Sequence, residues 1–232
     1  MAKKLNIYLD TFEIASWRSL MPTGLFYGIT TNPLLAERAG LDYTAIEWVN
    51  IIEIASSPGA RELHIQVPDT SEEALGFASK RVEDAAHHQL KIVIKVPLTG
   101  EGVALASRLK EQGHAVLMTA CYHAKQYVIA HQLSADFIAP YYGRMIEAGI
   151  DAKQHMLQMH AIGKSISPEV KVLVASLRSI DQMIELAAEG LTHFTLSPTI
   201  AEVLLKDELT QAAAAEFALA AKGGVRNDFC WR

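Results

Sequence analysis

Eight short runs rich in aliphatic and β-branched residues recur along the chain with amphipathic segments between them, and this alternation constrains the fold more than any other feature. The runs are LNIYLD at 5–10, LFYGIT at 25–30, ELHIQV at 62–67, KIVIKV at 91–96, AVLMTA at 115–120, DFIAP at 136–140, VKVLVA at 170–175 and HFTLS at 193–197. Strand then helix, repeated, implies parallel strands joined by right-handed crossovers. Several runs are apolar at nearly every position, as strands covered on both faces must be. The segments between them carry apolar residues at three-to-four spacing, as in Leu105 and Leu109, or Met183, Ile184, Ala187 and Ala188. Ser71, with Glu72 and Glu73 behind it, marks a helix start. Eight such units predict a (β/α)8 TIM barrel in one α/β domain over 1–232, with a C-terminal helical extension from about 199. That extension is alanine-rich from Thr199 to Ala221, Gly223-Gly224 ends it, and the tail VRNDFCWR carries Phe229 and Trp231 as a packing surface.

At 232 residues and 50% hydrophobic composition the chain can bury a large core. A net charge of -5 argues against a nucleic-acid or anionic-membrane surface, so the expected partner is a small molecule held by a few local cations. The opening MAKKLNIYLD has no apolar signal core and no later run has the length of a membrane span, which predicts a cytoplasmic protein. Cys121 and Cys230 lack the spacing of a zinc site or disulfide framework and read as ordinary thiols.

In a parallel barrel the functional face lies at the carboxyl ends of the strands. Each run supplies a polar residue there: Asp10, Thr30 with Asn32, Gln66, Lys95, Thr119, Tyr141, Ser176 and Ser197. A ring of this kind describes a polar pocket above an apolar barrel. Lys95 sets the chemistry. It stands inside IVIKVP, where both faces are buried and lysine has poor strand preference. Desolvation lowers the pKa of an ammonium and leaves neutral amine to attack a carbonyl. The structural alternative is a lysine paired with a buried carboxylate, for which Asp10 is a candidate.

Asp10 can act as a general base or orient the lysine and a hydroxyl, or simply cap the next helix. Tyr141, Thr119 and Gln66 can hold a relay water for the proton transfers of carbinolamine formation and collapse. Arg144 lies three residues beyond Tyr141 and Arg178 two beyond Ser176, so two guanidinium groups and a hydroxyl can converge on an anion such as phosphate. The nine histidines show no metal-binding spacing, and His155 and His160 are five apart. No glycine-rich nucleotide loop and no G-x-S-x-G elbow is present. Neither a metal nor an organic cofactor is called for.

With those residues in place the sequence resembles the transaldolase family, and in particular its small fructose-6-phosphate aldolase branch. The matching pieces are YLDT at 8–11, GITTNP at 28–33, QV at 66–67, IKVP at 94–97, EG at 101–102, LMTACY at 117–122, APYYGR at 139–144 and VASLRS at 173–178. The resemblance implies a Schiff-base lysine on the fourth strand, Lys95, and no lysine on the sixth. It also implies that Asp10 and Asn32, with Thr30 beside them, bind the donor's hydroxyls and carbonyl-derived oxygen. Arg144, Ser176 and Arg178 match a phosphate clamp. A homodecamer of two stacked pentamers, with C-terminal helices reaching neighbours, is implied as well.

Glutamine at 66 and tyrosine at 141 resemble the aldolase pattern, whereas a transaldolase resembles glutamate and phenylalanine there. The expected activity is therefore class I aldol cleavage or formation of fructose 6-phosphate, with dihydroxyacetone and glyceraldehyde 3-phosphate as the other partners. Transaldolase transfer of the dihydroxyacetone unit is the nearest alternative, and a non-catalytic sugar-phosphate binding barrel is the next. Tyr142-Gly143 within APYYGR and the tail after Gly224 depart from the aldolase pattern.

Overall fold

A computed structural model describes residues 4–222. Eight parallel strands close in sequence order: β1 (Asn6–Asp10), β2 (Phe26–Thr30), β3 (Glu62–Gln66), β4 (Lys91–Pro97), β5 (Val116–Cys121), β6 (Phe137–Pro140), β7 (Lys171–Val174) and β8 (His193–Leu196). β1 pairs with both β2 and β8, so the sheet has no free edge. The predicted (β/α)8 barrel is the fold, and each strand lies within one residue of its predicted run.

Alternation along each strand divides the core in two. Leu9, Ile29, Ile65, Ile94, Val96 and Met118 face outward and pack with helix residues such as Trp17, Ile52, Leu109, Met156 and Leu186. Tyr8, Val93, Leu117, Phe137, Ala139 and Leu173 face inward and fill the barrel. Because every helix-covered strand is apolar outward, the polar residues of the same strands fall at the interior and its two rims.

The lower interior holds an unexpected polar layer. The Tyr8 hydroxyl donates to Glu62 Oε2 at 2.8 Å, and His64 Nε2 meets the same oxygen at 3.1 Å. Burial pushes the Glu62 carboxyl up, but hydrogen bonds from His64 and Tyr8 outweigh it and hold it at about 2. Burial also pushes the His64 imidazole down, against the opposing pull of Glu62. The His64 ring lies between Tyr8 and Phe137, with centroids 5.0 and 5.1 Å away. This layer requires the glycine on β2: a Cβ at Gly28 collides with the Glu62 carbonyl oxygen and lies 3.0 Å from Cδ1 of Tyr8.

Two helix boundaries differ from expectation. The C-terminal stretch is two helices, Pro198–Val203 and Glu208–Lys222, because the Asp207 carboxylate accepts from the Thr210 amide at 2.7 Å and starts a new helix. The second buries none of its residues, and Leu209, Phe217 and Leu219 are exposed. The helix expected at Ser71 spans Glu73–Asp84, since the Ser71 hydroxyl donates instead to Asp69 at 2.6 Å. Gly223-Gly224, Cys230 and the tail with Phe229 and Trp231 lie outside the described residues.

Gly28→Ala tests the packing of the polar layer. Overpacking there is expected to cost about 1–3 kcal/mol, read as a lower urea midpoint at unchanged slope. An unchanged midpoint contradicts the close approach of β1 and β3 across Gly28.

Candidate active site

A cavity of about 270 Å³ opens at the carboxyl ends of the strands, above the filled barrel. Its floor is apolar, from Leu117, Ala139 and Leu173, and its walls are polar. Lys95 lines it while remaining only 5% exposed. Strand alternation turns Lys95 inward, because Ile94 and Val96 on either side belong to the outer core. Its ammonium donates to the Thr31 carbonyl at 2.6 Å and makes no ion pair among the described residues. Burial lowers its pKa below the usual 10.5, against a weaker opposing pull from Asp10. The structural alternative, a salt bridge to Asp10, is therefore not what the geometry shows.

Asp10 is engaged on its other side. Its Oδ1 accepts from the Thr30 hydroxyl at 2.7 Å, and that hydroxyl lies 2.7 Å from Thr195 Oγ1. Asp10 caps no helix; the next one, Ile14–Leu20, follows Glu13 and has no side-chain cap. Asn32 caps the helix Pro33–Arg38, its side-chain oxygen accepting from the Leu35 amide at 2.9 Å, which leaves its NH2 group for the cavity. Gln66 is the register partner of Lys95. Its carbonyl accepts the Tyr43 hydroxyl at 2.5 Å, and it is absent from the cavity lining, unlike the other site residues named from the sequence.

The opposite wall comes from β5, β6 and β7. Thr119 Oγ1 and the Tyr141 hydroxyl are 3.0 Å apart, and burial raises the Tyr141 pKa although Thr119 opposes the shift. The phenol therefore stays protonated, and it lines the same cavity as the buried amine. The Arg144 guanidinium sits 5.1 Å from the Tyr141 ring centroid, in cation–π contact. Ser176 carries two marks of a site held for something else: φ of 62° in the left-handed region, and a buried Oγ with no hydrogen-bond partner. Arg178 Nε donates to Glu147 at 2.8 Å. Gly143 permits this wall, since a Cβ there collides with the Ser176 carbonyl and lies 3.0 Å from Cγ of Arg178.

Sequence reasoning missed Thr195, Arg38, Leu34 and Leu35, all of which line the cavity. Thr195 was accessible from alternation, being two residues before Ser197 on the same face. Arg38 had no comparable signal, since its role depends on how a short helix lies across the rim. Among the described residues no group of three or more histidine, cysteine, aspartate or glutamate side chains is arranged to hold a metal. Burial pushes the Cys121 thiol up, which suits an inert core residue.

A buried lysine with a depressed pKa costs stability. The cost is complete below its native pKa and vanishes as pH rises past about 10.4, where the unfolded lysine also deprotonates. Lys95→Met is thus expected to raise the melting temperature at pH 7, with the gain shrinking toward pH 10.5. A variant equally or less stable at pH 7 contradicts the desolvated amine.

The chain matches the family model described as transaldolase/fructose-6-phosphate aldolase over residues 7–230. A protein named probable transaldolase from Leptospira biflexa is 30% identical over 213 residues, covering 92% of this chain and 96% of the relative. One of the same name from Paracoccus denitrificans is 28% identical, covering 92% and 94%. Among solved structures, a mandelate oxidase variant with 2-hydroxy-phenylacetamide superposes with a TM-score of 0.56 at 14% identity, over 82% of this chain and 60% of that chain. That likeness concerns the barrel fold alone, and this chain spans less than two thirds of that protein's length. With the buried lysine of β4 in its cavity and the family model matched almost end to end, the chain belongs to the transaldolase/fructose-6-phosphate aldolase family.

Proposed function

We propose that this chain is a class I aldolase that cleaves or forms fructose 6-phosphate through a Schiff base on Lys95. The observation that carries the reading is an unpaired, buried amine on the wall of a polar cavity. Neutral Lys95 attacks the ketose C2 carbonyl, and the carbinolamine loses water to give an iminium. As the C3–C4 bond breaks, its electrons pass into the iminium to form an enamine, and the C4 hydroxyl proton leaves as glyceraldehyde 3-phosphate departs. Protonation at C3 and hydrolysis release dihydroxyacetone and restore the amine.

Asp10 and Asn32 hold the donor hydroxyls, with Thr30 ordering Asp10. Tyr141, paired with Thr119, exchanges protons with the substrate through a water in the cavity. Ser176, Arg144 and Arg178 take the phosphate; the orphaned Ser176 Oγ supports this most directly. Several chains are proposed to assemble, as the resemblance implies, and the helix Glu208–Lys222, which buries none of its residues and exposes Leu209, Phe217 and Leu219, offers apolar side chains for that contact.

The second reading is a transaldolase, which passes the dihydroxyacetone unit to an aldose phosphate. It is favoured by the name probable transaldolase on the relatives. Fructose 6-phosphate alone, followed by release of glyceraldehyde 3-phosphate, separates the two. Steady release without acceptor is expected, and Tyr141→Phe should reduce it by on the order of tenfold or more. Turnover only after erythrose 4-phosphate is added makes the enzyme a transaldolase.

A further inference from the structure

We infer that Thr195 is a positioning residue for the carbon–carbon bond step: acting through Thr30, it holds the Asp10 carboxylate in one orientation, with Oδ1 tied to the wall and Oδ2 left for the substrate. This deepens the proposed function and rests on its Schiff base at Lys95. Three side chains from three adjacent strands form the device. Thr195 Oγ1 lies 2.7 Å from Thr30 Oγ1, and the Thr30 hydroxyl donates to Asp10 Oδ1 at 2.7 Å. β1 stands between β8 and β2 and pairs with both; Thr30 is the register partner of Asp10, and Thr195 that of Tyr8, two residues earlier on the same face. Side chains of alternate strands share a layer in such a barrel, so the β8 and β2 hydroxyls meet on the inner side of β1.

Counting protons fixes the direction of the chain. A carboxylate only accepts, and a threonine hydroxyl has one proton to give. Thr30 gives its proton to Asp10, so in the contact with Thr195 it must accept, and Thr195 donates. The hydrogen bonds therefore run one way, from Thr195 to Thr30 to Asp10, and each donor polarises the next. Thr195 is 3% exposed and Thr30 1%, so bulk water does not replace a missing partner at either hydroxyl. Without the Thr195 hydroxyl the buried Thr30 oxygen loses its donor, and rotation of Thr30 about χ1 would trade its hydroxyl for its methyl beside Asp10.

The orientation matters because Asp10 is the one acid lining the cavity among the described residues, and its charge acts on both Lys95 and Tyr141. In the proposed reaction a proton leaves the C4 hydroxyl as the C3–C4 bond breaks, and a carboxylate held with one oxygen toward the substrate serves that step. The phosphate end of the substrate, against Ser176, does not depend on it. Loss of the Thr195 hydroxyl thus affects the rate of bond cleavage more than substrate binding.

Two substitutions in the full-length protein separate the hydroxyl from the packing: Thr195→Val keeps the shape and removes the hydroxyl, and Thr195→Ser keeps the hydroxyl and removes the methyl. Turnover of fructose 6-phosphate is followed with and without erythrose 4-phosphate. In Thr195→Val kcat is expected to fall about tenfold while KM changes by less than about twofold, and Thr195→Ser should keep most of the rate. A packing role alone reverses that order. In a Thr30→Val background Thr195→Val should cost nothing further, because the route to Asp10 is already broken. A valine variant as fast as the parent, a serine variant slower than the valine one, or additive losses with Thr30→Val overturns the inference. Borohydride labelling with dihydroxyacetone, run on the same variants, distinguishes the two readings. Label on Lys95 with an unchanged rate in Thr195→Val fails the Thr195 role alone, and a hydroxyl-dependent rate with no label on Lys95 fails the Schiff base alone.

Discussion

Holding an amine out of water inside a β-strand is unfavourable, and the upper half of the barrel is arranged around that cost. Among the described residues Lys95 has one hydrogen bond, to a backbone carbonyl, and no ion pair with a carboxylate. Asp10, the nearest acid in electrostatic terms, is committed to Thr30. A direct ion pair would have stabilised the charged lysine and removed its nucleophilicity. The amine is instead kept at the boundary between an apolar floor and a polar wall, where burial disfavours its proton.

The rest of the barrel supplies the rigidity this needs. Apolar residues fill both sides of the sheet, and Gly28 and Gly143 each allow a close approach that a side chain would block. Strain appears at Ser176, where a serine adopts the left-handed region beside an unfilled hydroxyl. Lower down, the Tyr8, Glu62 and His64 layer replaces the branched aliphatic residues usual in such barrels. It is satisfied internally except at His64 Nδ1, and nothing in the proposed chemistry requires it.

Much of this was legible in the amino-acid order because the barrel repeats one simple rule. Each run buries its outward residues under a helix, so the runs stand out as apolar and their polar ends mark the functional face. Lys95 was conspicuous because it violates that rule within IVIKVP. The break at Asp207 was hidden by continuous helix-forming residues on both sides, where a local cap decided the boundary. Gln66 was named from its strand position and resemblance, yet its side chain is not in the lining, since lining depends on rotamer and neighbours as well as parity. Glu62 and His64 escaped notice because their partner Tyr8 lies 54 residues away from Glu62 in sequence. Arg38 depended on the placement of a rim helix, which periodicity does not encode.

The central claim is that the amine of Lys95 forms a covalent imine with a ketose, and reduction of that imine reads it directly. Borohydride added to the protein with dihydroxyacetone, followed by intact mass and peptide mapping, should reveal one three-carbon unit on the peptide bearing IVIKVP, absent from Lys95→Met. Labelling of a different lysine, or no ketose-dependent label at all, would contradict the account.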